Sequence, residues 1–299
     1  MTGGVLVVGE ALVDVVERPD GRTEHPGGGP MNVAVGMARL GERVRLVCTL
    51  GDDTRGRAVR SHLEASGVVV DATPIPQTST AVARIDGTGA ASYEFDLDWR
   101  PGPVTVPATT ALLHVGSIGA VLRPGSDAVL EAVRNRSSST LLSLDPNVRP
   151  SITPDQDVVR AALDPLLDAA DVVKTSDEDA AWLWPGLDVD AVLDELLRRD
   201  TRLAAVTLGA AGCVVATRGA RVRLPAPAVD VADTIGAGDS FMSGLATAVL
   251  RTPEALDTAD GHVLERVADI ALRSAAITVT RVGADPPTSQ ELSLGPDRR

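Results

Sequence analysis

The chain holds little with which to staple itself, cross a bilayer or grip a polyanion. Among its 299 residues there are two cysteines, Cys48 and Cys213. Both sit in strand-like apolar runs without C-x-x-C or metal-ligand spacing, so buried reduced thiols are expected, not a disulfide framework. Four scattered histidines form no zinc pattern. Aromatic residues make up only 2%, and a single lysine, Lys174, stands among arginines that supply the rest of the positive charge. With a net charge of −13 and no Lys/Arg block, the chain lacks the footprint of a nucleic-acid binder. An anionic substrate therefore has to be held by local groups. No apolar run reaches the ~18–20 residues that span a membrane. The start has no basic region, and Val5–Val8 is too short for a signal core. The expectation is a cytoplasmic protein with neither membrane nor nucleic-acid partners.

What is present is a globular composition, 44% hydrophobic and 23% charged, on a chain long enough for one large core. Short apolar runs at 5–8, 44–50, 112–115, 140–144, 171–174 and 203–208 alternate with helical patterns. That alternation predicts an α/β fold, a doubly wound and mostly parallel sheet in a single domain, 1–299. Between 68 and 103 helical periodicity stops and three strand-like runs follow, with Asp86-Gly87-Thr88-Gly89 as a hairpin turn. Together with 12–24 this segment is expected to form a small inserted β lid that excludes water from a pocket. Tyr93, Phe95 and Trp99 fall here, as a lid core, a sugar platform or a homodimer contact. The tail from 289 to 299 is expected to fray.

The most informative stretch is Asp233-Thr234-Ile235-Gly236-Ala237-Gly238-Asp239-Ser240-Phe241-Met242-Ser243-Gly244. Apolar residues at helical spacing follow it, so the glycines open a helix. The first N–H groups of a helix lack intrahelical partners and carry partial positive charge, which makes an anion site. Asp239 in the first turn either complements the dipole or acts as a base beside the anion. A second glycine run, Gly27-Gly28-Gly29-Pro30-Met31-Asn32, opens another helix, ending near Gly41. No Gly-Lys-Ser/Thr follows, so it is not a Walker A loop. Asp14 interrupts an apolar run just beyond the first strand, either as an edge charge or as a carboxylate facing a ligand. Asp145-Pro146-Asn147-Val148-Arg149-Pro150 is an irregular polar loop at a strand end. His114 reads as a packed strand histidine.

These strings, in this order, resemble the two signatures of the PfkB (ribokinase-like) family of carbohydrate kinases over nearly the whole chain. The resemblance implies a ribokinase-like fold and ATP-dependent phosphorylation of a sugar primary hydroxyl. It makes Asp239 the catalytic base and the N–H groups of Gly236, Ala237 and Gly238 the anion hole. Asp14, Gly28, Gly29, Asn32 and Arg149 would contact the sugar. Lys174, Thr207, Gly209, Gly212 and Gly238 would lie on the nucleotide. The family organises Mg²⁺ through an Asn-x-x-Glu motif, at which this chain has Ser176 and Asp179; Asp179 or its neighbour Glu178 would serve. Asp233 and the Ile235 carbonyl would complete a monovalent-cation (K⁺) site. The Gly-Glu start and the Asp-Pro-Asn-Val-Arg-Pro loop favour fructose. 2-Keto-3-deoxygluconate, with Arg149 or Arg84 on its carboxylate, and ribose are alternatives within kinases. A catalytically idle sugar-binding protein on the same fold is the alternative outside them.

Overall fold

Alternating side chains decide the layers. In β1 (Val5–Val8), Val5 and Val7 enter one hydrophobic core while Leu6 and Val8 enter a second on the opposite face. A strand apolar on both faces must be covered on both. The computed structural model, which describes residues 3–19, 21–85, 91–256 and 258–294, shows this arrangement.

After β1 come β2 (Leu12–Arg18), β3 (Gly21–Gly27) and helix α1 (Gly29–Arg39), then β4 (Val44–Gly51), α2 (Thr54–Ala65) and β5 (Val69–Ile75). Strands β6 (Thr80–Ile85) and β7 (Ala91–Asp96) follow, then β8 (Leu112–Gly116), α3 (Ser117–Val121), α4 (Gly125–Asn135), β9 (Leu141–Asp145) and α5 (Gln156–Ala169). The chain continues through β10 (Val172–Ser176), α6 (Asp177–Leu183), α7 (Val189–Leu197), β11 (Leu203–Thr207), β12 (Cys213–Ala216) and β13 (Arg221–Leu224) to α8 (Ala237–Arg251) and α9 (Gly261–Val279). Nine strands form one sheet in the order β13-β12-β11-β10-β9-β8-β1-β4-β5. Pairing from β11 to β5 is parallel; β12 alone runs the other way, pairing antiparallel with β11 on one side and β13 on the other. Helices α1, α2, α8 and α9 cover one face, and α4 to α7 the other. The strand order places the C-terminal ends of β1, β8, β9 and β10 side by side, where open α/β sheets bind ligands.

A second sheet, β3-β2-β6-β7, stands apart. It takes residues 12–27 and 80–96, so the inserted element is narrower than the sequence suggests. Val69–Ile75 instead pairs in parallel with β4 as the edge of the large sheet. The reason is exposure: an edge strand is half solvated (Val69 is 56% exposed), and its mixed pattern reads like a lid strand. The hairpin turn expected at 86–89 lies outside the described residues. Trp99 joins neither a platform nor an interface; it is buried, and its indole N–H donates to the Gly119 carbonyl at 3.0 Å. Tyr93 and Phe95 do stack, with centroids 6.4 Å apart, and Tyr93 is exposed. The tail is anchored at its start, since Ser289 N–H donates to Arg39 and Leu292 is buried; residues 295–299 lie outside the description. Both cysteines are free and buried. No helix among the described residues is long and apolar enough to cross a membrane.

Candidate active site

The two glycine runs meet. Gly236 precedes α8 with a left-handed backbone (φ 75°), a conformation that disfavours a side chain, and a Cβ there would come within 2.6 Å of Ala284. From this turn α8 starts with Ala237, Gly238 and Asp239. Asn32, buried on α1, donates from Nδ2 to Asp239 Oδ2 at 2.8 Å. The two helices approach closely because Gly36 faces Ser243. Beneath the turn lies the single lysine. Lys174 Nζ sits 2.9 Å from Asp145 Oδ2, and a Cβ on Gly238 would be 3.0 Å from the same Nζ. Both side chains are 4% exposed. Burial alone would lower the lysine's pKa, but Asp145, Asp239 and Asp179 hold it above the ordinary value. The N-terminus of α8 therefore has a fixed cation under it in addition to its own dipole. Burial raises Asp239 above the usual carboxylate range, against the pull of Asn32, Lys174 and Arg149. A buried, partly desolvated carboxylate is a better proton acceptor than an exposed one.

The second group gathers around Asp14 on β2, beside Gly27 and opposite His25 on β3. Burial pushes Asp14 up to about 6; Arg149 and His25 oppose the shift and Asp239 adds to it. Asp14, Asn32, Arg149 and Asp239 thus share one electrostatic neighbourhood, with Gly28 and Gly29 at the start of α1. Arg149 is exposed, makes no ion pair with a carboxylate among the described residues, and donates only to backbone carbonyls. Arg84, in contrast, is engaged by Glu17 and Glu94 on the second sheet.

The remaining sequence candidates separate. Asp179 is buried and lies close enough to Lys174 and Asp145 to act on both, whereas Glu178 is exposed. Ser176 caps α6, accepting from Asp179 N–H at 2.9 Å. Thr207 ends β11, and Gly209 opens the turn after it with free space around its Cα. Gly212 closes that turn against the backbone of Leu224 and Pro225, which by itself accounts for a glycine there. Asp233 accepts from Ile235 N–H at 3.1 Å and Gly283 N–H at 2.9 Å; these bonds outweigh burial and hold it below its ordinary value. Ile235 is exposed. No cluster of three or more metal-ligating side chains occurs among the described residues. Asp145 Oδ1 is nevertheless buried without a hydrogen-bond partner and has Asp179 nearby. Two carboxylates, one of them with an orphan oxygen, fit an ion that keeps most of its water.

Sequence reading missed two buried acids. Asp145 was visible only as part of a polar loop, and nothing in the sequence pairs it with Lys174 across β9 and β10. Glu10, two residues past β1, has its pKa raised to about 7 by burial, against bonds from Ser117 and Gly119 and the charge of Arg149. Its position after Gly9 at a strand end was the available signal. His114 is buried, 3.0 Å from Ser143 Oγ, and kept neutral by burial and by Lys174, which push it down to about 3.

A family model described as pfkB family carbohydrate kinase matches residues 3–291. A fructokinase from Escherichia coli is 34% identical over 310 aligned residues, covering 98% of this chain and 99% of the relative. The crystal structure of a fructokinase with bound ATP from Xylella fastidiosa superposes with a TM-score of 0.83 at 28% identity, covering 98% of both chains. A fructokinase double mutant from Vibrio cholerae, bound to fructose, ADP and potassium ion, gives 0.80 at 26% identity, over 95% of this chain and 94% of its own.

Proposed function

The chain belongs to the pfkB family of carbohydrate kinases and is an ATP-dependent sugar kinase, and from that premise we propose that fructose is its acceptor, phosphorylated on a primary hydroxyl with Asp239 as base. The observation that carries the assignment of the base is the Asn32–Asp239 hydrogen bond, which joins the two glycine loops beside Asp14 and Arg149. Asp14, Asn32 and Arg149, with Gly28 and Gly29, hold the sugar so that one hydroxyl faces Asp239. The proton leaves late, after bond formation to phosphorus has acidified the hydroxyl, so a carboxylate suffices. The N–H groups of Gly236, Ala237 and Gly238, with Lys174 behind them, meet the charge growing on the phosphoryl oxygens. Thr207 and Gly209 line the nucleotide's approach. Asp145 and Asp179 would hold Mg²⁺ through water, and the ion would supply neutralisation of phosphate charge. Asp233 and the Ile235 carbonyl would take K⁺. A homodimer through the exposed lid strands and a cytoplasmic location complete the reading.

The test is Mg²⁺-dependent ADP release against fructose, 2-keto-3-deoxygluconate, ribose, glucose and a nucleoside, ranked by kcat/KM. Fructose is expected first. The Arg149 guanidinium, without a carboxylate partner among the described residues, favours the keto acid as the second reading. A keto-acid winner would replace fructose, and silence with measurable sugar binding would leave only a sugar binder.

Asp14 gives this reading a pH signature. Its carboxylate accepts sugar hydroxyls only when ionised. As pH falls through about 6 it protonates, so the calorimetric Kd for sugar should rise severalfold between pH 7.5 and 5. Asp14→Asn should bind weakly with a flat profile. A wild-type Kd that does not change over this range would remove Asp14 from the sugar site.

A further inference from the structure

We infer that Glu10 is a positioning residue for the acceptor: through Ser117 and Gly119 it fixes a strained wall that, with Asn147, presses on Gly29 at the start of α1. This rests on the sugar-kinase reading above and extends its sugar site from Gly29 to the strand ends of β1, β8 and β9. Three observations converge. Glu10 is 4% exposed; its Oε2 accepts from Gly119 N–H at 2.8 Å, the Ser117 side chain favours its charged form, and Oε1 is buried without a hydrogen-bond partner. Ser117 (φ 53°) and Asn147 (φ 40°) hold left-handed backbones that non-glycine residues rarely adopt; among the described residues only Ser293 shares this. Such conformations persist where the surroundings over-determine them, and they concentrate at ligand sites. Finally, both face one point: a Cβ on Gly29 would lie 2.8 Å from Asn147 Nδ2 and 3.3 Å from Ser117 Oγ.

The topology explains the convergence. Glu10, Ser117 and Asn147 each follow the C-terminal end of one of three adjacent strands, β1, β8 and β9. Arg149, two residues beyond Asn147, acts on Glu10, Asp14 and Asp239 alike, so the wall and the base share one electrostatic neighbourhood. The Asn147 amide is half-buried and has no side-chain partner among the described residues, which leaves its donors and acceptor for a hydroxylated ligand. Gly29 is thus a glycine because the acceptor wall comes this close, and Glu10 keeps the wall there.

Steady-state kinetics with three variants test this, using the sugar that the substrate panel ranks first. Glu10→Ala should raise sugar KM at least tenfold and leave ATP KM within twofold. Glu10→Gln, whose amide oxygen can still accept from Gly119 N–H, should stay within about threefold of wild type for both. Asn147→Gly relieves the left-handed backbone and removes no side-chain bond to protein, so it should raise sugar KM without lowering Tm. Equal changes in both KM values for Glu10→Ala, or an unmoved sugar KM for Asn147→Gly, would overturn the inference. If Glu10→Ala does not fold, Asn147→Gly decides alone. Unmoved variants beside an active wild type sink only this inference; a wild type that turns over no sugar sinks the kinase reading with it.

Discussion

Asp239→Asn should lower kcat by about 10²–10⁴, the usual worth of a positioned general base, and leave ATP affinity within about threefold. The substitution is chosen for what it keeps. The asparagine oxygen still accepts from Asn32 Nδ2, so the 2.8 Å bond between α1 and α8 survives. What disappears is the proton acceptor and a negative charge that both Lys174 and Arg149 face. Removing a charge beside an anion hole does not weaken binding of an anionic nucleotide, so KM for ATP should hold or fall. Turnover should also fall on acidification in wild type, since burial has raised Asp239 above its ordinary value. A variant that keeps wild-type kcat would show that the carboxylate only caps α8.

Lys174→Met should be the most damaging single change to stability. It leaves Asp145 buried with neither oxygen partnered, because Oδ1 already has none. Breaking a buried pair from one side costs about 3–5 kcal/mol. It also removes the cation beneath Gly238, so kcat should fall even in the folded fraction. The pH dependence has a definite sign. Burial pushes Asp145 up to about 6 even with the lysine beside it, and without the lysine the value rises further. A carboxylate raised above its ordinary pKa of about 3.9 destabilises the fold as pH rises through the raised value. The variant's deficit should therefore narrow as pH falls through 6, when Asp145 is neutral in both proteins. Asp145→Asn in the same chain should restore most of the loss but not the rate. Urea midpoints at pH 5 and 8 measure this; equal midpoints for wild type and Lys174→Met at pH 8 would refute the buried-pair account.

Much of this architecture was legible because it is written in periodicity. The runs at 5–8, 44–50 and 112–115 became buried strands. The glycine strings named the helix starts, and Asp14, Asn32 and Asp239 fall into one neighbourhood as their motifs imply. What periodicity could not give was lateral order. The pairing of Lys174 with Asp145 depends on β9 lying beside β10, and the wall at Gly29 depends on β1, β8 and β9 lying in sequence. Neither adjacency leaves a mark in the sequence. The edge strand Val69–Ile75 was misassigned to the lid for the complementary reason: half exposure looks alike on any sheet. Glu178 and Asp179 differ by one helical step, and only burial showed which of them faces Lys174.

The lone lysine also has an analytical use. Arginines carry the rest of the positive charge on the surface, so the folded protein offers acylating reagents no accessible ε-amine. Lys174, at 4% exposure, can be acylated only when the glycine turn above it opens. Its labelling rate is therefore a single-site clock of that opening, and ligands that seal the site should slow it without any probe being engineered into the chain.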